Sequence, residues 1–121
     1  MQRKVLLIED EPHIIEALSF LLSREGLIVS AHSDGLDAAT VAEREQPDLV
    51  ILDVMLPGKS GFDILREIRA GSVTAALPVM MLTAKGQSRD RTEAEAAGAN
   101  LFMTKPFSNA EIVENVKRLL G

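Results

Sequence analysis

The apolar run Leu49-Val50-Ile51-Leu52 ends directly in the carboxylate of Asp53, and the turn residues Pro57-Gly58 follow. A second run, Val5-Leu6-Leu7-Ile8, ends in Glu9-Asp10. Short apolar runs bounded by turn signals read as buried strands of a parallel sheet. Open α/β sheets place their ligand sites at the C-terminal ends of such strands. Carboxylates gathered there repel one another, and that repulsion asks for a cation. Thr83 follows Val79-Met80-Met81-Leu82, and Lys105 precedes Pro106 after a further short run. By the same geometry both lie on the carboxylate edge, which then carries acids, a hydroxyl and an ammonium.

That mixture suits phosphoryl chemistry. A divalent cation of the Mg²⁺ kind prefers oxygen ligands and keeps several waters. Asp10, Asp53 and the backbone carbonyl of Met55 suffice as direct ligands, with Glu9 holding a metal-bound water. An ordinary carboxylate is ionised at neutral pH, so a nucleophilic Asp53 needs no base to attack phosphorus and become an aspartyl phosphate. The transferring group spreads charge over its equatorial oxygens. The cation, Lys105 and the Thr83 hydroxyl can each take a share of it.

Singly, each residue has a structural reading. A strand-ending Asp caps a turn, Glu9-Asp10 caps the next helix, Thr83 is structural, and Lys105-Pro106 is a turn. Those readings fail together, because all of these residues converge on one sheet edge. His13 and His32 have no carboxylate or second His at ligand spacing and read as surface residues. Glu93-Ala94-Glu95 reads as a solvated helix face.

The positioning elements alternate. Strands are expected over Lys4 to Ile8, Leu27 to Ala31, Leu49 to Leu52, Pro78 to Leu82 and Leu101 to Met103. Helices are expected over Pro12 to Arg24, Asp34 to Glu45, Gly61 to Ala70, Ser88 to Ala97 and Ser108 to Leu120. In the first helix Ile14, Leu18, Leu21 and Leu22 fall at helical spacing, with Asp10 suited to the cap, Pro12 to the first turn and Gly26 to the stop. Ile112, Val116, Leu119 and Leu120 make the core stripe of the last. Repeated βα units imply a doubly wound parallel sheet, because each crossover is right-handed. The predicted fold is α/β, flavodoxin-like, (βα)5, with strand order 2-1-3-4-5 and its crevice between strands 1 and 3. Those strands end in Glu9-Asp10 and Asp53. The helix from Ser88 to Ala97 has only alanines as apolar residues. Alanine buries little area, so this helix forms readily but docks weakly, a candidate moving part.

At 121 residues the chain is one domain, 1–121, by length. A formal charge of −5 disfavours direct binding to nucleic acid or to an anionic membrane. The absence of cysteine excludes disulfides, thiolate metal sites and a cysteine nucleophile, and fits a cytoplasmic setting. The longest uncharged stretch, Ala70 to Ala84, carries Gly71 and Pro78 and is no membrane helix. The last helix closes at Leu119-Leu120-Gly121, which reads as a complete protein or a domain edge.

Several segments together resemble the receiver domain of bacterial two-component response regulators. They are Ile8-Glu9-Asp10-Glu11-Pro12, Leu52 through Gly61 with Asp53, Leu82-Thr83-Ala84, Gly98-Ala99, and Phe102-Met103-Thr104-Lys105-Pro106-Phe107. The resemblance runs from Arg3 to Leu120. It implies Asp53 as phosphoacceptor, Glu9 and Asp10 in the Mg²⁺ pocket, and Thr83 and Lys105 as phosphoryl binders. It also implies Phe102 as a switch aromatic that turns inward, and a cis Lys105–Pro106 bond. The implied donor is a phosphohistidine on a sensor histidine kinase or a histidine phosphotransfer protein. The implied output surface is the fourth helix, fifth strand and fifth helix, read by a downstream effector domain or protein, with a homodimer possible.

Departures are informative. Acidic residues that pair charges across dimers in the family are replaced by Asn100 and Leu101. Leu101, Phe102 and Met103 are expected to leave an apolar face for a partner. Met55 and Lys85 flank the site two residues beyond Asp53 and Thr83. The apolar Met55 cannot orient a hydrolytic water, so slow self-dephosphorylation is expected. An alternative enzyme reading, a phosphohydrolase of the haloacid-dehalogenase kind, needs an acid at position 55 and a cap domain. The expectation is therefore no enzyme beyond self-catalysed phosphoryl transfer and loss. A third reading, an interaction module that keeps only the fold, is disfavoured by the intact Glu9-Asp10, Thr83 and Lys105.

Overall fold

A computed structural model describes residues 2–83 and 88–121, with the side chains of residues 88–90 left aside. Ala84 and Lys85, picked out from the sequence, lie outside the described residues. The elements are β1 (Lys4–Ile8), α1 (Pro12–Arg24), β2 (Ile28–His32), α2 (Ala38–Glu45) and β3 (Leu49–Asp53). They continue as α3 (Gly61–Ala70), β4 (Val79–Thr83), α4 (Ser88–Ala97), β5 (Leu101–Thr104) and α5 (Asn109–Leu120). All strand pairs are parallel, in the order β2-β1-β3-β4-β5, as the alternation of elements requires. No helix among the described residues is long and apolar enough to cross a membrane.

Every residue of β3 and β4 is buried, which is why both read as unbroken apolar runs. Their side chains alternate between two cores. Val50, Leu52, Val79 and Met81 pack with Leu6 and Ile8 beneath α2 and α3. Leu49, Ile51, Met80 and Leu82 pack with Val5 and Leu7 against Leu18 and Leu22 of α1 and Ile112 and Val116 of α5.

α2 begins four residues later than the sequence pattern predicts. Asp34 Oδ1 accepts from the Leu36 amide at 2.9 Å, and the Gly35 amide donates to the Pro57 carbonyl at 3.1 Å. Residues 34–37 are thus spent on a turn that braces the β3–α3 loop, which competes with helix. Ser60 and Ser108 cap α3 and α5 through the amides of Asp63 and Glu111. Asp10 does not cap α1: the N-cap is Glu11, without a side-chain cap, and the nearby amides turn to Glu9 instead.

Among its described side chains, α4 is held sparsely. Ala94 is its one buried residue among the described side chains. Its far end is better fixed. Gly98, at φ +101, ends the helix, and Arg69 donates to its carbonyl at 3.0 Å. The same guanidinium reaches the Leu77 carbonyl at 2.7 Å and Asn100 Oδ1 at 2.8 Å. β5 does not present the apolar face expected from Leu101, Phe102 and Met103. Helices flank it on both sides, so Phe102 enters one core and Met103 the other.

Candidate functional site

Register levels the reactive side chains. Ile8 pairs with Leu52, so Glu9 and Asp53 leave the sheet side by side. Asp53 pairs with Leu82, and Thr83 with Thr104, which carries Thr83 and Lys105 to the same edge. Gly61 closes the floor. A Cβ there would lie 2.3 Å from the Asp53 carbonyl oxygen, and the Gly61 amide donates to the Val54 carbonyl at 2.8 Å. Only glycine lets α3 begin against the backbone of the strand end.

Glu9, Asp53 and Thr83 are buried, while Asp10 is exposed at the mouth. One oxygen from each of Glu9, Asp10 and Asp53 lies within 4.8 Å of the others. Glu9 Oε2 accepts from the amides of Asp10 at 3.1 Å and Glu11 at 3.2 Å. Glu9 Oε1 is buried with no hydrogen bond among the described residues, and meets the Lys105 ammonium as an ion pair at 3.1 Å. Lys105 Nζ also lies 3.4 Å from Asp53 Oδ2 and 3.1 Å from Glu11 Oε1. The Met55 amide sits 3.4 Å from Asp53 Oδ1, while its side chain is exposed. The Lys105–Pro106 peptide bond is cis.

Burial first, and then the neighbouring Asp53 carboxylate, push the Glu9 carboxyl above the usual range. Burial also works to lower the Lys105 ammonium. Glu9, Asp53 and Glu11 outweigh it and hold that ammonium above the ordinary lysine value. One lysine does not neutralise this group of acids. A hard, all-oxygen donor set of closely spaced carboxylates fits a small divalent cation.

Two contacts were not foreseen from the sequence. Glu11 reaches Lys105, and the acidic triplet Glu9-Asp10-Glu11 was its available signal. His32 is half-buried and meets a carboxylate, with Nε2 2.6 Å from Asp37 Oδ1. It is therefore not an unpartnered surface residue, because the late start of α2 leaves Asp37 free to turn back. His13 is exposed as expected, and Glu93 meets Arg66 across α3 and α4 at 3.3 Å.

Phe102 is already buried against the core beside Ala94, so the inward turn expected of it has no outward starting point here. The Arg91 guanidinium lies over its ring, 5.4 Å from the centroid. A cleft of about 500 Å³ runs along α4, β5 and α5, with Arg91, Glu95, Asn115 and Arg118 among its walls.

Residues 5–117 match the family model of the response regulator receiver domain. The fold is similar to that of a response regulator from Chloroflexus aurantiacus, with 32% identity, 99% of this chain and 98% of that chain covered, and a TM-score of 0.94. It is also similar to the receiver domain of sensor histidine kinase PA1611 from Pseudomonas aeruginosa, solved with a magnesium ion coordinated in the active site cleft. That match has 33% identity, 100% and 99% coverage, and a TM-score of 0.92. The BeF3-activated receiver domain of Klebsiella pneumoniae RstA is similar at 28% identity, 97% coverage of each chain and a TM-score of 0.90.

Proposed function

Because the chain belongs to the response regulator receiver domain family, we propose that it is a phosphoacceptor switch whose reactive residue is Asp53. One observation carries the reading: the buried Asp53 carboxylate sits 3.4 Å from the Lys105 ammonium and beside Glu9 and Asp10 in one pocket. The donor is a phosphohistidine of a sensor histidine kinase or a phosphotransfer protein in the cytoplasm.

An Asp53 oxygen attacks phosphorus. The bond from phosphorus to the donor imidazole nitrogen breaks, and that nitrogen keeps the electron pair. Lys105 moves its ion pair from the carboxylate to the arriving oxygens, and the Thr83 hydroxyl donates to another. Asp10, Asp53 and the Met55 carbonyl would hold Mg²⁺, with Glu9 placed for one of its waters. The ion supplies neutralisation of charge on the transferring group. The magnesium-bound Pseudomonas aeruginosa relative and the BeF3-activated Klebsiella pneumoniae relative support this assignment.

The response passes through Thr83 to α4, which Ala94 holds lightly and Arg69 pins at its far end. Phe102 pairs with Met81 in the sheet and lies under Arg91 of α4. The α4-β5-α5 face then changes for an effector or a second copy.

Incubation with acetyl phosphate and Mg²⁺ should add one phosphoryl group by mass, and Asp53→Asn should abolish it. Sustained turnover of phosphomonoesters would point to a phosphohydrolase instead. Failure of the wild-type chain to take up phosphate would leave only a fold-bearing interaction module.

A further inference from the structure

Three carboxylates face the Lys105 ammonium: Glu9 and Glu11 at 3.1 Å, and Asp53 at 3.4 Å. Glu9 and Asp53 belong to the buried pocket. Glu11 stands outside it, with its side chain 57% exposed. It is the N-cap residue of α1, yet its side chain makes no capping hydrogen bond. The carboxylate instead accepts from Lys105 Nζ.

Lys105 and a divalent cation draw on the same two carboxylates, Glu9 and Asp53. Held together on Glu9 and Asp53, the two cations would repel strongly in a site this dry. The lysine side chain is only 13% exposed, so an ammonium pushed off those oxygens without another acceptor would be a poorly paired, poorly solvated charge. Glu11 already touches it.

Building on the function proposed above, we propose that Glu11 is a positioning residue for Lys105: it retains the ammonium at the pocket mouth when a divalent cation occupies the pocket of Glu9, Asp10 and Asp53. Glu11 thereby favours the metal. It also competes with the phosphoryl group for the same lysine, so its loss has opposite effects on the two ligands.

The test is a calorimetric Mg²⁺ titration of the wild-type chain, Glu11→Gln, Lys105→Met and the double variant, followed by beryllofluoride titration at saturating Mg²⁺. Glu11→Gln should weaken Mg²⁺ binding about threefold, the scale of a half-exposed ion pair. In the Lys105→Met background the same change should have less than about half that effect on a logarithmic scale. Beryllofluoride should bind Glu11→Gln more tightly than wild type. Glu11→Asp should recover part of the Mg²⁺ affinity, and Glu11→Lys should deepen the loss. An equal Mg²⁺ loss in both backgrounds would overturn the proposal, since Glu11 would then act by its field alone. Unchanged Mg²⁺ affinity in Glu11→Gln, or a parallel loss of beryllofluoride affinity, would also overturn it. A wild-type chain that binds no Mg²⁺ would sink the parent function instead.

Discussion

The backbone amide of Lys105 donates to the carbonyl of Thr83 at 2.6 Å. The two side chains proposed to hold the phosphoryl group are therefore fixed to each other through the backbone, one residue beyond the last paired rung of β4 and β5. A pull on Thr83 is therefore carried to Lys105, just past the end of β5. Thr83→Ala removes that hydroxyl and leaves the backbone bond in place. The expected result is weaker phosphoryl retention by about 1.5–3 kcal/mol, the worth of a hydrogen bond to a charged group. Amide exchange with and without beryllofluoride should show altered protection across α4 and β5 in the wild type and little change in Thr83→Ala. Equal changes in both proteins would contradict the role given to Thr83.

Gly61 offers a test of how the floor of the site is built. Alanine is the better helix former by about 1 kcal/mol. The added Cβ, however, would fall 2.3 Å from the Asp53 carbonyl oxygen and 2.8 Å from the Val54 Cα, both backbone atoms of a buried strand end. Neither can step aside as a side chain would, so strain of about 1–3 kcal/mol should win. Gly61→Ala is expected to lower the urea midpoint and to slow phosphorylation by acetyl phosphate. A stabilised variant would show that α3 can drift away from β3 at little cost.

Much of this was legible because parallel βα units write their edges into the sequence. Four strands begin or end within one residue of the runs Val5 to Ile8, Leu49 to Leu52, Val79 to Leu82 and Leu101 to Met103. The carboxylates that end β1 and β3 meet because register follows from topology, which periodicity alone already implied. The start of α2 was not legible. Asp34 and Gly35 favour turn and helix start about equally, and a long-range bond to Pro57 decided between them. Glu11 was hidden for a related reason: which of three adjacent acids turns toward a lysine 94 residues away is set by the strand-to-helix bend.

The raised Glu9 carboxyl fixes the sign of a pH effect. Burial and Asp53 make the folded chain bind that proton more tightly than the unfolded chain does. In metal-free protein this contributes stability that is fully present below the ordinary glutamate value of 4.5 and is lost as pH rises through the folded value. Lys105 is raised too, but its contribution is lost only on the alkaline side, above 10.5. Mg²⁺ needs the unprotonated carboxylate. The rise in Tm on adding Mg²⁺ should therefore be small near the ordinary glutamate value of 4.5 and grow as pH rises above it. Glu9→Gln should flatten that dependence. A Mg²⁺ effect independent of pH in the wild type would place Glu9 outside the ion's surroundings.

Met55 is expected to lengthen the lifetime of a phosphorylated Asp53. Its side chain is exposed at the mouth, and its amide stays beside Asp53 Oδ1. A water approaching phosphorus along this side meets a thioether, which neither donates a useful hydrogen bond nor orients the attacking lone pair. Phosphate should therefore be lost slowly. Asparagine at this position offers both a donor and an acceptor at similar reach. One added hydrogen bond to the water, worth about 1 kcal/mol, corresponds to a several-fold faster loss. Phosphate release followed after removal of acetyl phosphate should show a shorter half-life for Met55→Asn than for wild type. The change sits on an exposed side chain, so the melting temperature should barely move, and a longer or equal half-life would mean that water reaches phosphorus from another side of the pocket.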